Sequence, residues 1–473
     1  METYKVPSHI DPDKIFLVNR SELMNRLDPI YYNSDLAKLN ISKYQSVTIN
    51  SIAISLKSGT GAGKQDQTDK KRGIIQIRPT NIDENGFLKY NKNIYIPDNS
   101  SLEKVEINDI LFNNTNSQEL VGKTAVLKEK KELLYSNHIT KIRVNLTKVI
   151  PDYLWIILNL YQKNKIFYSI CTNWNNQSGV GLELLKSLKI PLPPLEIQQQ
   201  IVDLYQEAYQ QKQQKEAEAK TLLESIDTYL LHELGITLPQ KDNSLQNRIF
   251  TTPFSEVSGG RLEPKYYTQI YIENEHNLYN SKYSLISVSK ITSIVSDGTH
   301  FTPKYVDEGI KFISVKDVRK STIDLNNSKY ITEEEANSLD KRCKPQFGDI
   351  LLTKVGTIGL AAVVQTKERF QIFVSLALLR PKHNIVFPEY LEIILNSECT
   401  YLQYDRIVKG AGVPDLHLED IRKIKIPLPP IEKQNEIAEH IQGIRAQAKE
   451  LQEQAQKILE EAKQEVEKMI LGE

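Results

Sequence analysis

The glycine-rich run from Gly59 to Lys64, GTGAGK, is the first stretch whose residue types could do chemistry. A phosphate-binding loop of the GxxxxGK[ST] type needs glycine and serine or threonine where this chain has Ser58 and Gln65, so no nucleotide site is predicted. A polar loop of glycines that ends in lysine suits a DNA groove, because N–H groups, hydroxyls and lysines all bind phosphate oxygens. The run therefore favours DNA contact over a plain surface loop.

Residue sets that support catalysis are missing from the sequence. His232 and Glu233 lack a second histidine at helical spacing, so they do not form the zinc site of a metalloprotease. The Asn/Asp-Pro-Pro-aromatic motif that holds a flipped base in amino-methyltransferases is absent, since residues 28–31 read DPIY. No Ser/His/Asp or Cys/His set stands out. The sequence predicts a protein that is not an enzyme.

Polar and basic side chains beside glycines are the candidates for DNA contacts. Arginine and lysine can bind guanine, asparagine and glutamine can bind adenine, and hydroxyls mostly bind the backbone. In the first half of the chain the predicted DNA-binding residues are Lys64, Lys71, Arg72, Arg78, Asn113, Lys123 and Asn176. In the second half they are His300, Thr302, Lys304, Tyr305, Lys316, Arg319, Lys354, Thr357 and Lys409. For the 70–72 run, KKR, a solvated turn is the stronger interpretation.

Length and composition limit the class of protein. The 473 residues carry 60 basic and 60 acidic side chains and can form two or three domains. No run of 18 apolar residues and no basic-then-apolar leader occurs, so we expect a cytoplasmic protein without a membrane span. Cys171, Cys343 and Cys399 lack the spacing of a metal site, which predicts free thiols and no bound metal.

The sequence repeats itself once at an offset of 235 to 237 residues. RLDPIYY (26–32) returns as RLEPKYY, GIIQIRPTNI (73–82) as GIKFISVKDV, PDYLWIILN (151–159) as PEYLEIILN, and IPLPP (190–194) as a second IPLPP. An offset this constant predicts duplication of a unit made of one globular domain and one long helix. The expected domains are 1–190 and 243–426, and the expected helical segments are 191–242 and 427–473.

Each IPLPP motif opens a long amphipathic stretch with helical spacing of its apolar residues. The predicted interface residues are Ile197, Ile201, Leu204, Leu222 and Ile226 in the first stretch and Ile437, Ile441, Ile444, Leu451 and Ile458 in the second. About 40 residues at roughly 1.5 Å each give a rod of about 60 Å, which needs a partner rod to cover its narrow apolar stripe. Two unrelated surface helices are the alternative.

The globular domains are predicted to be α+β. Short β-like runs bounded by glycine, asparagine and aspartate occur at 74–77, 109–112, 137–144, 311–315, 349–352 and 373–379. PDYLWIILN and PEYLEIILN start with proline and carry helical spacing, so each is predicted to be a helix packed on the sheet.

Four segments of the second half, DGTHFTPKY (297–305), GIKFISVKDV (309–318), LLTKVGTIG (351–359) and the stretch 409–441, resemble the specificity subunits of type I restriction-modification systems, as does the first-half copy SGVGLELLKSLKIPLPPLEIQQQIV (178–202). The resemblance implies two target recognition domains, each reading half of a bipartite DNA site, and two long helices that form an antiparallel coiled coil. It implies two methyltransferase subunits that use S-adenosylmethionine and restriction-translocase subunits that use ATP and Mg, with no cofactor bound by this chain. The first domain departs from it with SGTGAGKQ in place of DGTHFTPKY.

The predicted function is therefore a non-catalytic DNA-recognition subunit that directs adenine methyltransferase and translocase-nuclease subunits to an asymmetric site. The half-sites should differ because the two domains differ in sequence. Rods of about 60 Å correspond to roughly 17 or 18 base pairs between half-sites. Two alternatives stay open at this point: the specificity module of a type IIB or IIG system, and a coiled-coil scaffold that binds no DNA.

Overall fold

The computed structural model describes residues 17, 42–98, 102–174, 177–240, 242, 244, 249–258, 261–410 and 412–471. The chain divides into two compact units: unit 1 is Met1–Lys215 with Glu453–Glu473, and unit 2 is Glu216–Gln452. The first copy of the repeat at 26–32 and the predicted DNA contact Asn176 lie outside the described residues.

The described strands of unit 1 are β1 (Ser46–Thr48), β2 (Ala53–Ser58), β3 (Gly73–Ile77), β4 (Ile94–Pro97), β5 (Ile110–Asn113), β6 (Thr115–Asn116), β7 (Thr124–Val126), β8 (Leu133–Tyr135), β9 (Ile139–Val144), β10 (Thr172–Trp174), β11 (Gln177–Gly179) and β12 (Lys189–Pro191). The unit is built around an antiparallel four-stranded sheet, in the order β2-β9-β5-β7. A second sheet has the order β4-β3-β8, in which β3 and β8 are parallel, and β10-β11-β6 and β1-β12 are short additions.

The described α-helices of unit 1 include the proline-started helix that the sequence predicts to pack on the sheet. They are α1 (Ile49–Ile52), α2 (Pro151–Lys163), α3 (Ile166–Ile170), α4 (Leu182–Ser187) and the first part of α5 (Leu195–Leu234). α2 begins at Pro151, where the missing N–H of proline costs nothing. Its Asn159 accepts a hydrogen bond from the Thr124 N–H of β7 at 3.1 Å, and its Tyr153 hydroxyl donates to the Pro191 carbonyl at 2.7 Å.

Unit 2 repeats the plan of unit 1. The described strands are β13 (Leu285–Ser287), β14 (Thr292–Asp297), β15 (Tyr305–Val306), β16 (Ile310–Ile313), β17 (Val318–Arg319), β18 (Thr322–Ile323), β19 (Lys329–Ile331), β20 (Ile350–Thr353), β21 (Ala361–Val363), β22 (Phe370–Ile372), β23 (Leu376–Pro381) and β24 (Lys425–Pro427). The main sheet has the order β14-β23-β20-β21, the second sheet has the order β15-β19-β16-β22 with β16 and β22 parallel, and the short pairs are β13-β24 and β17-β18.

The helices of unit 2 follow in the same order, with additions between the domains and inside the second domain. They are α6 (Phe254–Val257), α7 (Gln269–Tyr279), α8 (Val288–Ile291), α9 (Glu333–Asp340), α10 (Pro388–Leu395), α11 (Glu398–Ile407) and α12 (Leu418–Lys423). α10 starts at Pro388 as α2 starts at Pro151. The predicted α+β class, the duplication and the two proline-started helices are confirmed.

The two predicted rods are the helices α5, with 40 residues, and α13 (Ile431–Leu471), with 41. In unit 1, Lys215 on α5 contacts Gln454 on α13, with 2.8 Å between Nζ and Oε1. Lys212, one turn earlier on α5, is an electrostatic neighbour of Lys463 further along α13. In unit 2, Glu233 pairs with Lys433 at 2.6 Å and the Tyr229 ring lies 4.1 Å from the His440 ring. In each unit the two helices therefore run antiparallel.

The predicted interface residues differ in how far they are buried. Ile201, Ile226, Ile437 and Ile441 are buried, and half-buried positions are Ile197, Leu204, Leu222, Ile444, Leu451 and Ile458. Of the neighbouring residues Ile458 and Leu459 on α13, Leu459 is the buried one. The apolar stripe shifts there because a helix has 3.6 residues per turn and a heptad pattern assumes 3.5.

Candidate nucleic-acid interface

Three loops of unit 2 meet around Asp297, the last residue of β14, which is 3% exposed. Its carboxylate lies 2.5 Å from Arg342 Nη2 and 3.9 Å from the buried ammonium of Lys354, which follows β20. Lys354 in turn contacts Asp415 at 3.3 Å. We call residues 297–305, 354–359 and 409–417 loop cluster 2, with residue 411 undescribed. They include three of the stretches on which the family resemblance rests.

Backbone hydrogen bonds fix the same loops. The Thr299 N–H donates to the Ile372 carbonyl at 3.2 Å, and the preceding Gly298 approaches that carbonyl so closely that a Cβ would lie 1.9 Å from its oxygen. The Leu416 N–H donates to the Lys354 carbonyl at 2.8 Å, and Lys409 and Asp415 exchange two backbone hydrogen bonds. Only glycine fits at 298, so the DG start of this loop has a steric cause.

Loop cluster 2 presents polar, basic and apolar side chains to solvent. Exposed members are His300, Phe301, Thr302, Lys304, Tyr305, Thr357, Lys409, Val413 and His417. Hydroxyls and lysines suit phosphate oxygens, and exposed apolar side chains suit thymine methyl groups. The cluster combines the groups that bind DNA backbone with groups that distinguish bases.

The corresponding loops of unit 1 meet around neutral groups. We call residues 58–64, 113–118 and 172–180 loop cluster 1, of which 175 and 176 are undescribed. The buried Asn114 amide donates to the Thr140 hydroxyl at 2.9 Å and to the Asn137 carbonyl at 3.1 Å, and the Thr140 hydroxyl lies 3.1 Å from that of Ser58. β6 pairs with β11, so the second and third loops are joined by strand hydrogen bonds. Gly59 approaches the Tyr135 carbonyl as Gly298 approaches that of Ile372.

The structure divides the predicted DNA-binding residues into several environments. Exposed and inside a loop cluster are Lys64, His300, Thr302, Lys304, Tyr305, Thr357 and Lys409. Lys71 and Arg72 lie in an exposed turn where Asp69 Oδ1 accepts both of their backbone N–H groups, at 2.8 and 3.1 Å, which favours the solvated-turn interpretation. Lys316 precedes the β17-β18 hairpin and Arg319 ends its first strand, so both belong to a neighbouring surface.

Four predicted contacts turn partly or fully inward. Asn113 is fully buried and donates to the Leu120 carbonyl at 3.0 Å, and Lys354 is buried in its ion pairs. Their side chains hold loops together, because a buried group with internal partners cannot also reach a base. Arg78 is half-buried. Lys123 donates to the Ile82 carbonyl at 2.9 Å, and burial, with nearby Lys89, lowers the pKa of its ammonium.

Sequence reasoning missed Arg342 and Asp415. Arg342 lies 45 positions after the aspartate that it binds, and no motif in the sequence joins them. Asp415 was part of a recognised stretch, but only the structure shows that it contacts Lys354.

In the described part of the chain, no group of three or more His, Cys, Asp and Glu side chains is arranged to hold a metal ion. None of the described helices is long and apolar enough to cross a membrane.

Comparison with known proteins places both units in one family. The sequence model of the type I restriction modification DNA specificity domain matches residues 41–225 and 280–461. The candidate type I restriction enzyme MjaX specificity subunit of Methanocaldococcus jannaschii is 26% identical over 356 residues, 72% of this chain and 72% of that protein. The type I restriction enzyme EcoBI specificity subunit of Escherichia coli is 30% identical over 154 residues, 33% of this chain and 32% of that protein.

A solved structure supports the same fold. One chain, from a description of complex assembly and conformational transition of the type I R-M system, aligns with a TM-score of 0.52 and 17% identity, over 90% of this chain and 96% of that one. Because the family's sequence model matches most of the chain, in two separate stretches, the chain belongs to the family of type I restriction modification DNA specificity domains.

Proposed function

We propose that the protein is the non-catalytic DNA-recognition subunit of a type I restriction-modification complex and that it binds an asymmetric bipartite DNA site. The observation that carries this proposal is the pair of loop clusters, each gathered from three separate loops of one unit around a buried polar residue. Loops held on a sheet in this way present several side chains to one surface, which is what base readout in a groove requires.

The proposed target recognition domains are 1–190 and 243–426, joined to the helical segments 191–242 and 427–473. The exposed members of loop clusters 1 and 2 are proposed to contact DNA. Asn113 and Lys354 are proposed to position the loops instead. The buried polar residues at the centres of the clusters differ, with Asn114 and Thr140 in unit 1 and Asp297 and Lys354 in unit 2, and this difference supports unlike half-sites.

The proposed partners are two methyltransferase subunits that use S-adenosylmethionine and restriction-translocase subunits that use ATP and Mg, acting with this chain in the cytoplasm. We propose that the methyltransferases dock on the helices α5 and α13 and the domain flanks next to them. The chain itself is proposed to bind no cofactor.

Co-expression with the methyltransferase encoded beside it, followed by sequencing of methylated adenines, tests the proposal. We expect one asymmetric motif of two short half-sites with an unread spacer. A contiguous motif, or methylation without any motif, would contradict it. Methylation that requires a fused methylase-nuclease would point to a type IIB or IIG system.

DNA binding by the complex should also depend on salt. We expect Lys304→Ala and Lys409→Ala each to lower the slope of log K against log salt by about 1, because each removes one phosphate contact. Lys367→Ala removes the same charge from an exposed lysine that lies outside the loop clusters and outside the helices α5 and α13, and it should leave the slope unchanged. A scaffold that binds no DNA would give no salt-dependent binding at all.

A further inference from the structure

An arginine beside loop cluster 2 is held in one orientation by a buried carboxylate. Arg342 Nη2 lies 2.5 Å from Asp297 Oδ1 and 2.9 Å from His300 Nε2, and Arg342 Nε donates to the Asp297 carbonyl at 3.4 Å. The Arg342 side chain is nevertheless 52% exposed. Its Nη1 makes no hydrogen bond with any described residue, so two N–H donors of a fixed guanidinium face outward.

A guanidinium fixed in this way is suited to one base. Guanine presents two adjacent acceptors, O6 and N7, on its major-groove edge, and the two outward N–H groups of Nη1 can donate one to each. Adenine places an amino donor where guanine has O6, so the same guanidinium would meet a donor with a donor. Because Asp297 already orders the side chain, less conformational entropy is lost on binding.

Asp297 connects this arginine to the rest of loop cluster 2. The carboxylate that holds Arg342 also lies 3.9 Å from Lys354 Nζ, and Lys354 binds Asp415 in the third loop. Arg342 follows α9, and its backbone N–H and that of the buried Cys343 both donate to the Leu339 carbonyl, at 3.0 and 3.1 Å. The guanidinium is therefore positioned relative to all three loops.

Unit 1 has no such arrangement at the equivalent positions. Asp109 and Asp349 each accept the backbone N–H three residues earlier, at 2.8 Å from Glu106 and 2.8 Å from Gln346. These matching hydrogen bonds make Asp109 the equivalent of Asp349, so Leu102 stands at the position of Arg342. Strands β2 and β14 end at Ser58 and Asp297, so Ser58 stands at the position of Asp297. Loop cluster 1 instead carries the exposed amides of Asn173 and Gln177.

We propose that Arg342 determines specificity for a guanine in the half-site bound by unit 2, and that Asp297 positions it. The proposal rests on the proposed function, because it assumes that loop cluster 2 faces DNA. It adds a residue outside the family-like loops and a base type for one position of the site.

The test is the methylation motif of the complex with Arg342→Gln and Arg342→Lys. At one guanine we expect discrimination against other bases to fall roughly 5- to 150-fold, with every other position of both half-sites unchanged. Arg369→Gln removes another ion-paired arginine of unit 2, bound to Asp340, and should leave the motif intact. Gln177→Ala in loop cluster 1 should alter only the opposite half-site.

Three results would overturn the proposal: no guanine in the half-site of unit 2, an unchanged motif in both Arg342 variants, or an equal loss at all positions, which would indicate a phosphate contact. If wild-type protein gives no bipartite motif, the proposed function fails instead. Asp297→Asn separates positioning from folding, because we expect it to weaken discrimination at the same guanine while the complex still methylates the remaining positions normally.

Discussion

Unit 1 and unit 2 bury charged side chains at different positions of their corresponding domains. In unit 1, Lys141 on β9 is fully buried and contacts Glu103 at 2.6 Å and Asp109 at 3.6 Å. The equivalent positions of unit 2 are Leu378 on β23 and Cys343, which belong to one apolar cluster. An ion pair in one unit is thus an apolar contact in the other.

Where the long helices contact the domains, unit 2 has the buried ion pair and unit 1 has the apolar contact. Trp155 of α2 donates to the Gly86 and Thr124 carbonyls at 2.9 and 3.0 Å, and its neighbour Phe87 stacks on Tyr209 of α5 with 4.0 Å between ring centroids. In unit 2 the position of Trp155 is Glu392, which is 2% exposed and accepts two hydrogen bonds from Arg445 of α13, at 2.8 and 3.2 Å. Its Oε1 also accepts from the Ser321 hydroxyl.

A smaller set of polar contacts is shared by both units. Asp109 binds Arg143 through both oxygens, and Asp349 binds Arg380 in the same way, so strands β5 and β9 and strands β20 and β23 are linked alike. Gln198 at the start of α5 binds the backbone of Ile150, and Gln434 at the start of α13 binds that of Phe387. These shared contacts hold the same elements together in both units. The other buried charges occur in one unit only, and each has a partner of opposite charge there.

The largest effect is expected when the buried lysine of unit 1 is introduced at the equivalent position of unit 2. Leu378→Lys buries an ammonium in an apolar cluster where Asp349 is already paired with Arg380. We expect unit 2 to lose about 4 kcal/mol of unfolding free energy, because an uncompensated buried charge is costly. Hydrogen exchange of unit 2 peptides during urea unfolding measures this loss.

Adding the matching carboxylate tests the cause. Cys343→Glu in the Leu378→Lys background should recover at least about 2 kcal/mol, since it recreates the pair found in unit 1. The reverse change, Lys141→Leu with Glu103→Cys, should leave unit 1 within about 2 kcal/mol of wild type, because replacing both partners leaves no buried lysine without a carboxylate. A double variant of unit 2 no more stable than Leu378→Lys alone would refute the equivalence of these positions.

Removal of Arg445 tests the ion pair that unit 2 has where unit 1 has an aromatic contact. Arg445→Ala leaves the buried Glu392 without its cation, and we expect unit 2 to lose about 3 kcal/mol. The matched change in unit 1, Tyr209→Ala, removes a stacked ring pair and should cost about 1 kcal/mol. Urea unfolding of both variants, followed separately for each unit by hydrogen exchange, compares them. Equal losses would show that the ion pair contributes no more than the aromatic contact.

The fold could be predicted because its signals are periodic and repeated. The constant offset of the repeat, the proline starts of α2 and α10 and the apolar stripes of α5 and α13 are local patterns that follow from backbone geometry. The predicted strand at 373–379 begins three residues late, at Leu376, since residues before it form the turn whose Ser375 carbonyl accepts the Lys354 N–H. Tertiary contacts set such boundaries.

The candidate site could be predicted only in part, because burial depends on contacts far along the chain. The sequence singled out the loops that hold His300 and Lys409, and the structure places both at one cluster. It could not show that Lys354 faces inward, since its partners Asp297 and Asp415 are 57 and 61 positions away. Arg342 has no motif and was missed for the same reason.

The Lys141–Glu103 ion pair, which occurs only in unit 1, should make the stability of that unit depend on pH. The hydrogen bond from Lys141, with a further contribution from Lys57, holds the pKa of Glu103 below its usual value, despite partial burial that acts the other way. A depressed carboxyl pKa stabilises the fold above the unfolded pKa of about 4.3, and this stabilisation is lost as pH falls through the folded pKa. Unit 1 should therefore lose stability between about pH 5 and 3.

The Glu103→Cys, Lys141→Leu variant isolates this effect, because it removes one pair and keeps the other carboxylates. We expect its unit 1 to lose stability less steeply than wild type over the same pH range, as followed by tryptophan emission during urea unfolding. Trp155 and Trp174 are the two tryptophans of the sequence and both lie in unit 1. Identical pH dependence in the variant and wild type would mean that Glu103 makes no net contribution.

Thiol labelling reports on unit 2, and the labelling expected in the native protein is very slow. Burial raises the pKa of Cys343 to about 12 and that of Cys399 to about 11, and both lie in unit 2. Since the thiolate is the reactive form, a disulfide reagent at pH 8 should label them about 100-fold or more slowly than a free cysteine. In Leu378→Lys these two thiols should react while tryptophan emission from unit 1 stays native. Labelling of Cys343 and Cys399 in wild type at the rate of a free thiol would contradict their burial, and loss of both signals together would mean that the units do not unfold separately.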